Sequence, residues 1–365
     1  MAPREHPVAE RAHPVAQSEQ PLPQRGHPVA PMSTSTLDGP SDHAATAVVA
    51  VDGLTMRFGD HAALSDLHLR VLPGVTGLVG ANGAGKTTLF NLWLGLLSPT
   101  TGRITVGGLD PVRDGAVVRS RVGFSPERNV LPDDMAADEF VRHLAEVKGL
   151  PRSEARGRAS DALWLVGLGE ERFRPLGTMS TGQRQRVKLA QALASDPDLI
   201  LLDEPTDGLD PVQRDEMLRL IADVHREVGI DIIVSSHVLE EVERVCENVV
   251  ILDAGRLVAA GPVAELVDDA GGTIDVELVD DDATVQAVAE ALRGSGLEVS
   301  VQGQRLNVDG ADTDAALDAV RDAVAVHDAR LHTLGARRIT LEDVFLAGSA
   351  NGAGTAPDGR AGGGW

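Results

Sequence analysis

The chain has 365 residues, 42% hydrophobic and 24% charged, with a formal net charge of −22. That balance describes an ordinary globular protein of about two domains, and the negative charge disfavours nucleic acid as the main partner. A single cysteine, Cys246, excludes an internal disulfide and a cysteine-built zinc site.

No uninterrupted run of about 18 apolar residues occurs, so no segment is expected to span a membrane. The N-terminus lacks the apolar stretch of a signal peptide, and the expectation is a soluble or peripheral, cytoplasmic chain. Residues 1–45 carry REHPVA, RAHPVA and RGHPVA, starting at Arg4, Arg11 and Arg25. Their histidines lack helical metal-ligand spacing, and the Pro-rich composition predicts a solvated, disordered leader.

From residue 46 to 268, strand-like and helix-like patterns alternate. VVAVDGL, VTGLVG, VGFSP, DLILLDEP and DIIVSSH read as short strands, several without alternation, as expected when both faces are buried. KTTLFNLWLGLL and QRDEMLRLIADVHREVG read as helices between them. The fold class is α/β with a largely parallel core sheet.

LVGANGAGKTTL places GxxxxGK[ST] between an apolar strand and a helix, the context of a phosphate-binding P-loop. Small residues let backbone N–H groups converge on phosphates at a helix N-terminus. Lys86 is expected to reach the β/γ-phosphates, Thr87 to hold Mg²⁺, and Thr88 to support the α-phosphate end. Only three lysines occur, Lys86, Lys148 and Lys188, in a chain otherwise using Arg. At Lys86 a compact ammonium suits the tight turn better than a planar guanidinium.

MSTGQ, from Met179, opens a helix with a capping box, Ser180 as N-cap and Gln183 three residues on. Its N-terminus also exposes N–H donors suited to a phosphate. DLILLDEP then ends a strand with two acids. Asp203 is expected beside Mg²⁺ and Glu204 beside the attacking water. His237, at the end of IIVSSH, is expected at the γ-phosphate.

Residues 272–347 read as a small α+β unit of βαββαβ order, ferredoxin-like, without a nucleotide or metal motif. Residues 348–365 read as a flexible Gly/Ala-rich tail.

The succession P-loop, MSTGQ, Asp-Glu strand, TDGLD and SSH resembles the ATP-binding-cassette (ABC) ATPases over about residues 47–265. The resemblance implies a P-loop NTPase-type nucleotide-binding domain with an α-helical subdomain, binding ATP and Mg²⁺. In that family two head-to-tail cassettes sandwich two ATP molecules, each signature motif facing the γ-phosphate held by the other subunit. Carried over, Phe58 matches the aromatic that stacks on adenine. Gly80, Asn82, Gly83, Gly85, Lys86, Thr87 and Thr88 match the P-loop. Ser180, Gly182 and Gln183 match the signature, and Asp210 matches the acid that joins the protomers.

Two departures stand out. The family's LSGGQ is MSTGQ here, with Thr181 for a glycine, and the family's Q-loop glutamine is Glu127. A carboxylate beside Asp203 and Glu204 adds like charge, so the site is expected to depend strongly on Mg²⁺.

VGFSPERNVLP and the late ITLEDVFL, residues 339–346, look like the daunorubicin-resistance type of drug, antibiotic or polysaccharide exporter. That branch implies a separately encoded integral membrane permease and a second ATPase subunit, a homodimer in the simplest case, at the cytoplasmic face of the membrane. Leu131, Met135 and Phe140, among acids after Glu127, are expected to form the docking surface. LEDVFL, as an amphipathic helix, is also compatible with packing on the small domain. A ribosome-acting cassette protein would carry two P-loops, and a chromosome-maintenance one would carry long heptads between P-loop and signature; this chain has neither.

Overall fold

A computed structural model describes residues 47–128, 131–268, 273–310, 313–336 and 340–352. The expected leader over 1–45 lies outside the described residues. Among these residues, no helix is long and apolar enough to cross a membrane.

The central sheet has six strands in the order β5-β6-β7-β3-β8-β9. These are β3 (Val75–Val79), β5 (Val122–Ser125), β6 (Leu199–Leu202), β7 (Asp231–Ser236), β8 (Asn248–Asp253) and β9 (Arg256–Pro262). All neighbours are parallel except β9, which returns antiparallel to β8. β3 and β6 are buried at every position, which explains their unbroken apolar runs. The register sets Val79 opposite Ser236 and Leu202 opposite Val234, so β3, β6 and β7 end side by side. The loops leaving those carboxyl ends therefore share one crevice.

VVAVDGL does not join that sheet, contrary to the expectation above. β1 (Val49–Phe58) pairs antiparallel with β2 (His61–Val71) and β4 (Thr101–Val106). Val49, Val51, Leu54 and Met56 of β1 turn inward, and Gly53, at φ +58°, lies within the register shift that keeps Leu54 on the buried face. Their layer packs with Phe90 and Trp93 of α1 (Lys86–Trp93), a helix shorter than KTTLFNLWLGLL suggests. α2 (Gly115–Arg121) leads into β5.

Helices α3 (Ala137–Val147), α4 (Arg152–Leu165) and α5 (Thr181–Leu193) pack together through Ala145, Ala155, Ala159 and Leu163. Leu131 and Phe140 are buried in this cluster and Met135 packs partly buried against it. Of the three apolar side chains expected to dock a partner, Leu131 and Phe140 are core instead, Phe140 on the inward stripe of α3 with Val141 and Ala145, and Met135 is partly buried against them. α6 (Pro211–Val228), α7 (Leu239–Val245) and α8 (Val263–Asp268) complete this part of the chain.

The C-terminal unit runs β10 (Thr273–Leu278), α9 (Asp282–Gly294), β11 (Glu298–Gln302), β12 (Arg305–Asp309), α10 (Thr313–Val326) and β13 (Leu331–Ala336). Its sheet order, β11-β12-β10-β13, is antiparallel throughout and reproduces the ferredoxin-like arrangement. Ile274, Val276, Leu306 and Val308 meet Val285, Val288 and Leu292 in a core of their own. α11 (Leu341–Gly352) includes LEDVFL and does not pack there. Leu341 is buried, and Val344 and Phe345 lie partly buried, in the core of the larger unit. The Leu341 N–H donates to Glu243 of α7 at 3.1 Å. The loose tail expected from Gly348 thus begins as the last turn of this helix, and 353–365 lie outside the described residues.

Candidate functional site

The crevice at the ends of β3, β6 and β7 holds a cavity of about 500 Å³. Phe58, Asn82, Gly83, Gly85, Lys86, Thr87, Thr88, Glu127, Asp203 and Glu204 all line it, with His61 and Arg128. Phe58 is 48% exposed at the end of β1, a cavity wall rather than a core residue. Gly80 lies beneath the loop, where its carbonyl accepts from Lys86 Nζ at 2.6 Å.

The loop has its shape because Gly85 sits at φ +106° as N-cap of α1. A Cβ there would meet Leu64 Cδ2 at 2.5 Å and the Ala63 carbonyl at 3.0 Å. No side chain caps α1, so the first N–H groups of that helix are available to an anionic ligand.

The acids are held from three strands. Thr87 Oγ1 donates to Asp203 Oδ2 at 3.0 Å, and Ser235 Oγ donates to Asp203 Oδ1 at 2.7 Å. The Asp203 N–H donates to the Ser125 carbonyl at 2.8 Å, tying in the end of β5. Ser235 Oγ also accepts from the Glu204 N–H at 2.9 Å. Glu204 adopts φ +47°, and this left-handed turn brings two successive acids to one site. A non-glycine residue there costs about 1–3 kcal/mol, offset by the contacts at both ends of Glu204. Its Oε2 lies 2.9 Å from His237 Nδ1. Its Oε1 lies 3.2 Å from Lys86 Nζ, but without hydrogen-bond geometry, and among the described residues no other partner reaches it.

These groups fit a magnesium triphosphate. Thr87 and Asp203 offer adjacent hard oxygens, as Mg²⁺ takes when phosphates and water complete its shell. Among the described residues, no three His, Cys, Asp or Glu side chains gather into a metal cluster. Glu204 lines the same cavity, and its Oε1 is a buried carboxylate oxygen without a hydrogen bond among the described residues.

Glu127 stands on the cavity wall, half-exposed, its Oε1 3.8 Å from Arg128 Nε. Its carbonyl accepts from Lys188 Nζ at 3.0 Å. Lys188 is buried within α5. Burial holds its ammonium below the usual lysine range, while Asp203, Asp207 and Glu127 act in the opposite direction.

Ser180, Gly182 and Gln183 are not in the cavity lining. They form the N-terminus of α5 as a full capping box: Ser180 Oγ accepts from the Gln183 N–H at 3.2 Å, and Gln183 Oε1 accepts from the Ser180 N–H at 3.1 Å. Thr181 is an exposed helical residue, so its extra atoms meet no obstruction in this chain. A Cβ on Gly182 would meet only Gln213 side-chain atoms, at 3.5 Å. Asp210 caps α6, accepting from the Gln213 N–H at 2.9 Å.

Sequence reasoning passed over the roles of Ser235 and Lys188 and a third buried acid beside Asp203 and Glu204. Glu241 Oε2 accepts from Thr206 Oγ1 and Ser236 Oγ, both at 3.2 Å, and Oε1 pairs with Arg214 Nε at 3.0 Å. This joins the turn after Glu204 to the strand end before His237. The paired serines of SSH were the available signal; Glu241 sits in an acidic helix whose composition gives no hint of burial.

The sequence profile described as "ABC transporter" matches residues 64–207. "Daunorubicin resistance ATP-binding protein DrrA3" of Streptomyces coeruleorubidus is 34% identical over 83% of this chain and 96% of its own length. "Linearmycin resistance ATP-binding protein LnrL" of Bacillus subtilis is 30% identical, over 74% of this chain and 88% of its own. Among solved structures, a dimeric ATP-binding cassette described as a post-hydrolysis state bound to ADP and Pi is 26% identical, with a TM-score of 0.51, over 59% of this chain and 98% of that one.

Proposed function

The chain belongs to the ABC transporter ATP-binding proteins, and from that premise we propose that it powers export of a drug, antibiotic, lipid or polysaccharide through a separate membrane permease. Its ATP-binding and ATPase character follow from the family itself. The finer reading concerns which residues act, with which partners, and on what cargo.

The observation that carries it is the bonded series Thr87–Asp203–Ser235–Glu204–His237, drawn from three adjacent strand ends, in which Thr87, Asp203 and Glu204 line the cavity while Ser235 and His237 stand behind them outside its lining. Phe58 stacks on adenine; the P-loop N–H groups and Lys86 bind the β- and γ-phosphates. Thr87 and Asp203 would hold Mg²⁺, which when bound would neutralise phosphate charge. Glu204 orients water and takes its proton as the water oxygen bonds to the γ-phosphorus in line with the bridging oxygen, whose bond to that phosphorus breaks to release ADP, and His237, bonded to Glu204, contacts the γ-phosphate. Glu127 lines the same cavity.

The signature completes a second copy's site. Nothing within this chain requires Gly182 to lack a side chain, yet it sits at an exposed, capped helix N-terminus suited to phosphate. Close approach by a ligand bound elsewhere gives the glycine a reason. Two antiparallel copies, each lending Ser180, Gly182 and Gln183 to the other and meeting near Asp210, supply that ligand. The similar structure described as dimeric and bound to ADP and Pi supports a two-copy assembly.

The resistance proteins among the relatives support an exporter, with this chain peripheral at the cytoplasmic face beside its permease. Co-expression with candidate polytopic partners tests it. Membrane recovery that depends on one partner, with ATPase activity stimulated by an exported compound, is the expected result. Partner-independent behaviour, or recovery on ribosomes or DNA, overturns it.

A further inference from the structure

Glu241 is buried on α7 and does not line the nucleotide cavity, yet it touches both backbones that meet there. Its Oε2 accepts from Thr206 Oγ1, two residues after Glu204, and from Ser236 Oγ, one residue before His237. Ser236 Oγ in turn accepts from the Val238 N–H at 3.0 Å, closing the turn that carries His237. Glu241 Oε1 lies 3.0 Å from Arg214 Nε. Arg214 stands in the first turn of α6, its N–H donating to the Asp210 carbonyl at 2.9 Å. A cation is unfavourable at that end of a helix, and Glu241 is the acid that meets it. Packing alone would be served by an apolar side chain, since a buried carboxylate costs desolvation. An ionised carboxylate only accepts, so this one group can gather two hydroxyls and a guanidinium.

We propose that Glu241 is a positioning residue for ATP hydrolysis: it holds the Glu204 turn against the His237 turn and ties both to the helix that Asp210 caps. The inference rests on the nucleotide-site reading above and concerns turnover rather than nucleotide capture. Glu204 and His237 meet across 2.9 Å from two separate loops. Glu241 is the anchor those two loops share, and it stands outside the cavity that the nucleotide enters.

The test compares kcat, KM and equilibrium MgATP binding for Glu241→Gln and Thr206→Val, well below the thermal midpoint of each. Glu241→Gln keeps an oxygen for the hydroxyls but faces Arg214 without charge. Thr206→Val removes the hydroxyl from the Glu204 turn. Each is expected to lower kcat by about 10- to 100-fold. KM and binding should stay within about threefold, because the P-loop is untouched. Single turnovers with enzyme in excess extend the comparison to a His237→Ala background. There each substitution is expected to cost much less, since the alignment it maintains is already lost. Unchanged kcat in a folded variant, an equal loss of binding, or full additivity with His237→Ala overturns the proposal. If Glu241→Gln does not fold, Thr206→Val decides alone. Full turnover by Glu204→Gln would instead remove the site reading, and this inference with it.

Discussion

Lys86 Nζ stands 3.2 Å from Glu204 Oε1, while the other oxygen of the same carboxylate lies 2.9 Å from His237 Nδ1. One buried acid thus touches the P-loop cation and the imidazole beyond β7. Both contacts come from groups that the proposed function assigns to the γ-phosphate, and on that proposal Glu204 is the group that handles the attacking water. Glu204→Gln keeps the shape and removes the base. Turnover is expected to fall by about 10²-fold or more, with ATP binding retained. Steady-state phosphate release beside nucleotide titration checks this; full turnover would remove Glu204 from the base role.

Ser235 is the brace between the two acids. Ser235→Ala leaves Asp203 Oδ1 and the Glu204 N–H without their bonds, in a wholly buried setting. The expected cost is about 1–3 kcal/mol for each group left unsatisfied, read as a lower midpoint in urea unfolding. Turnover should fall too, because the left-handed turn at Glu204 loses one of its restraints. Unaltered stability would show that the hydroxyl is not the brace.

Phe58 projects from the end of β1 into the cavity and carries little packing. Phe58→Ala is expected to weaken ATP about tenfold, in line with the loss of one base–aromatic stack. Inorganic triphosphate, which has no base, should bind unchanged, and the thermal midpoint should hold. Equal loss for both ligands would mean that Phe58 shapes the P-loop rather than gripping the base.

Cys246 offers a pH readout of the core. Burial pushes its thiol up to about 12, with the Glu247 carboxylate adding to the effect. The folded value lies above the unfolded one, so its stabilising preference is intact below about pH 9. It is lost as pH rises from there toward the folded value. About 1 kcal/mol of stability should go by pH 10, and a Cys246→Ala chain should lack that loss. Thiol reagents at pH 8 should label Cys246 only on unfolding; rapid labelling of the folded chain would contradict the burial.

Much of this was legible in the sequence because it depends on local chemistry. The P-loop, the capping box of Ser180 and Gln183, and the βαββαβ order are written in neighbouring residues. β1 misled because VVAVDGL, read alone, does not reveal its partners: Gly53 and the register shift that keep it antiparallel depend on β2 and β4. Leu131, Met135 and Phe140 look like an exposed apolar patch until α4 and α5 are set against them. LEDVFL is amphipathic whichever surface it meets, so only the fold reveals that Leu341 seats against the larger unit. Lys188 and Glu241 escaped notice because a buried charge and a surface charge have the same letter; their partners lie far off in sequence.

The central claim is that each nucleotide is finished by the other copy's α5 N-terminus. The most direct test is the mass of the Glu204→Gln chain by analytical ultracentrifugation in MgATP, alone and with Gly182→Arg added. In this chain Gly182 has only ordinary contact with Gln213, so the added side chain should obstruct a second copy's phosphate rather than the fold. The account predicts a dimer for Glu204→Gln and a monomer for the double variant. A monomer in both cases, or a dimer in both, contradicts it.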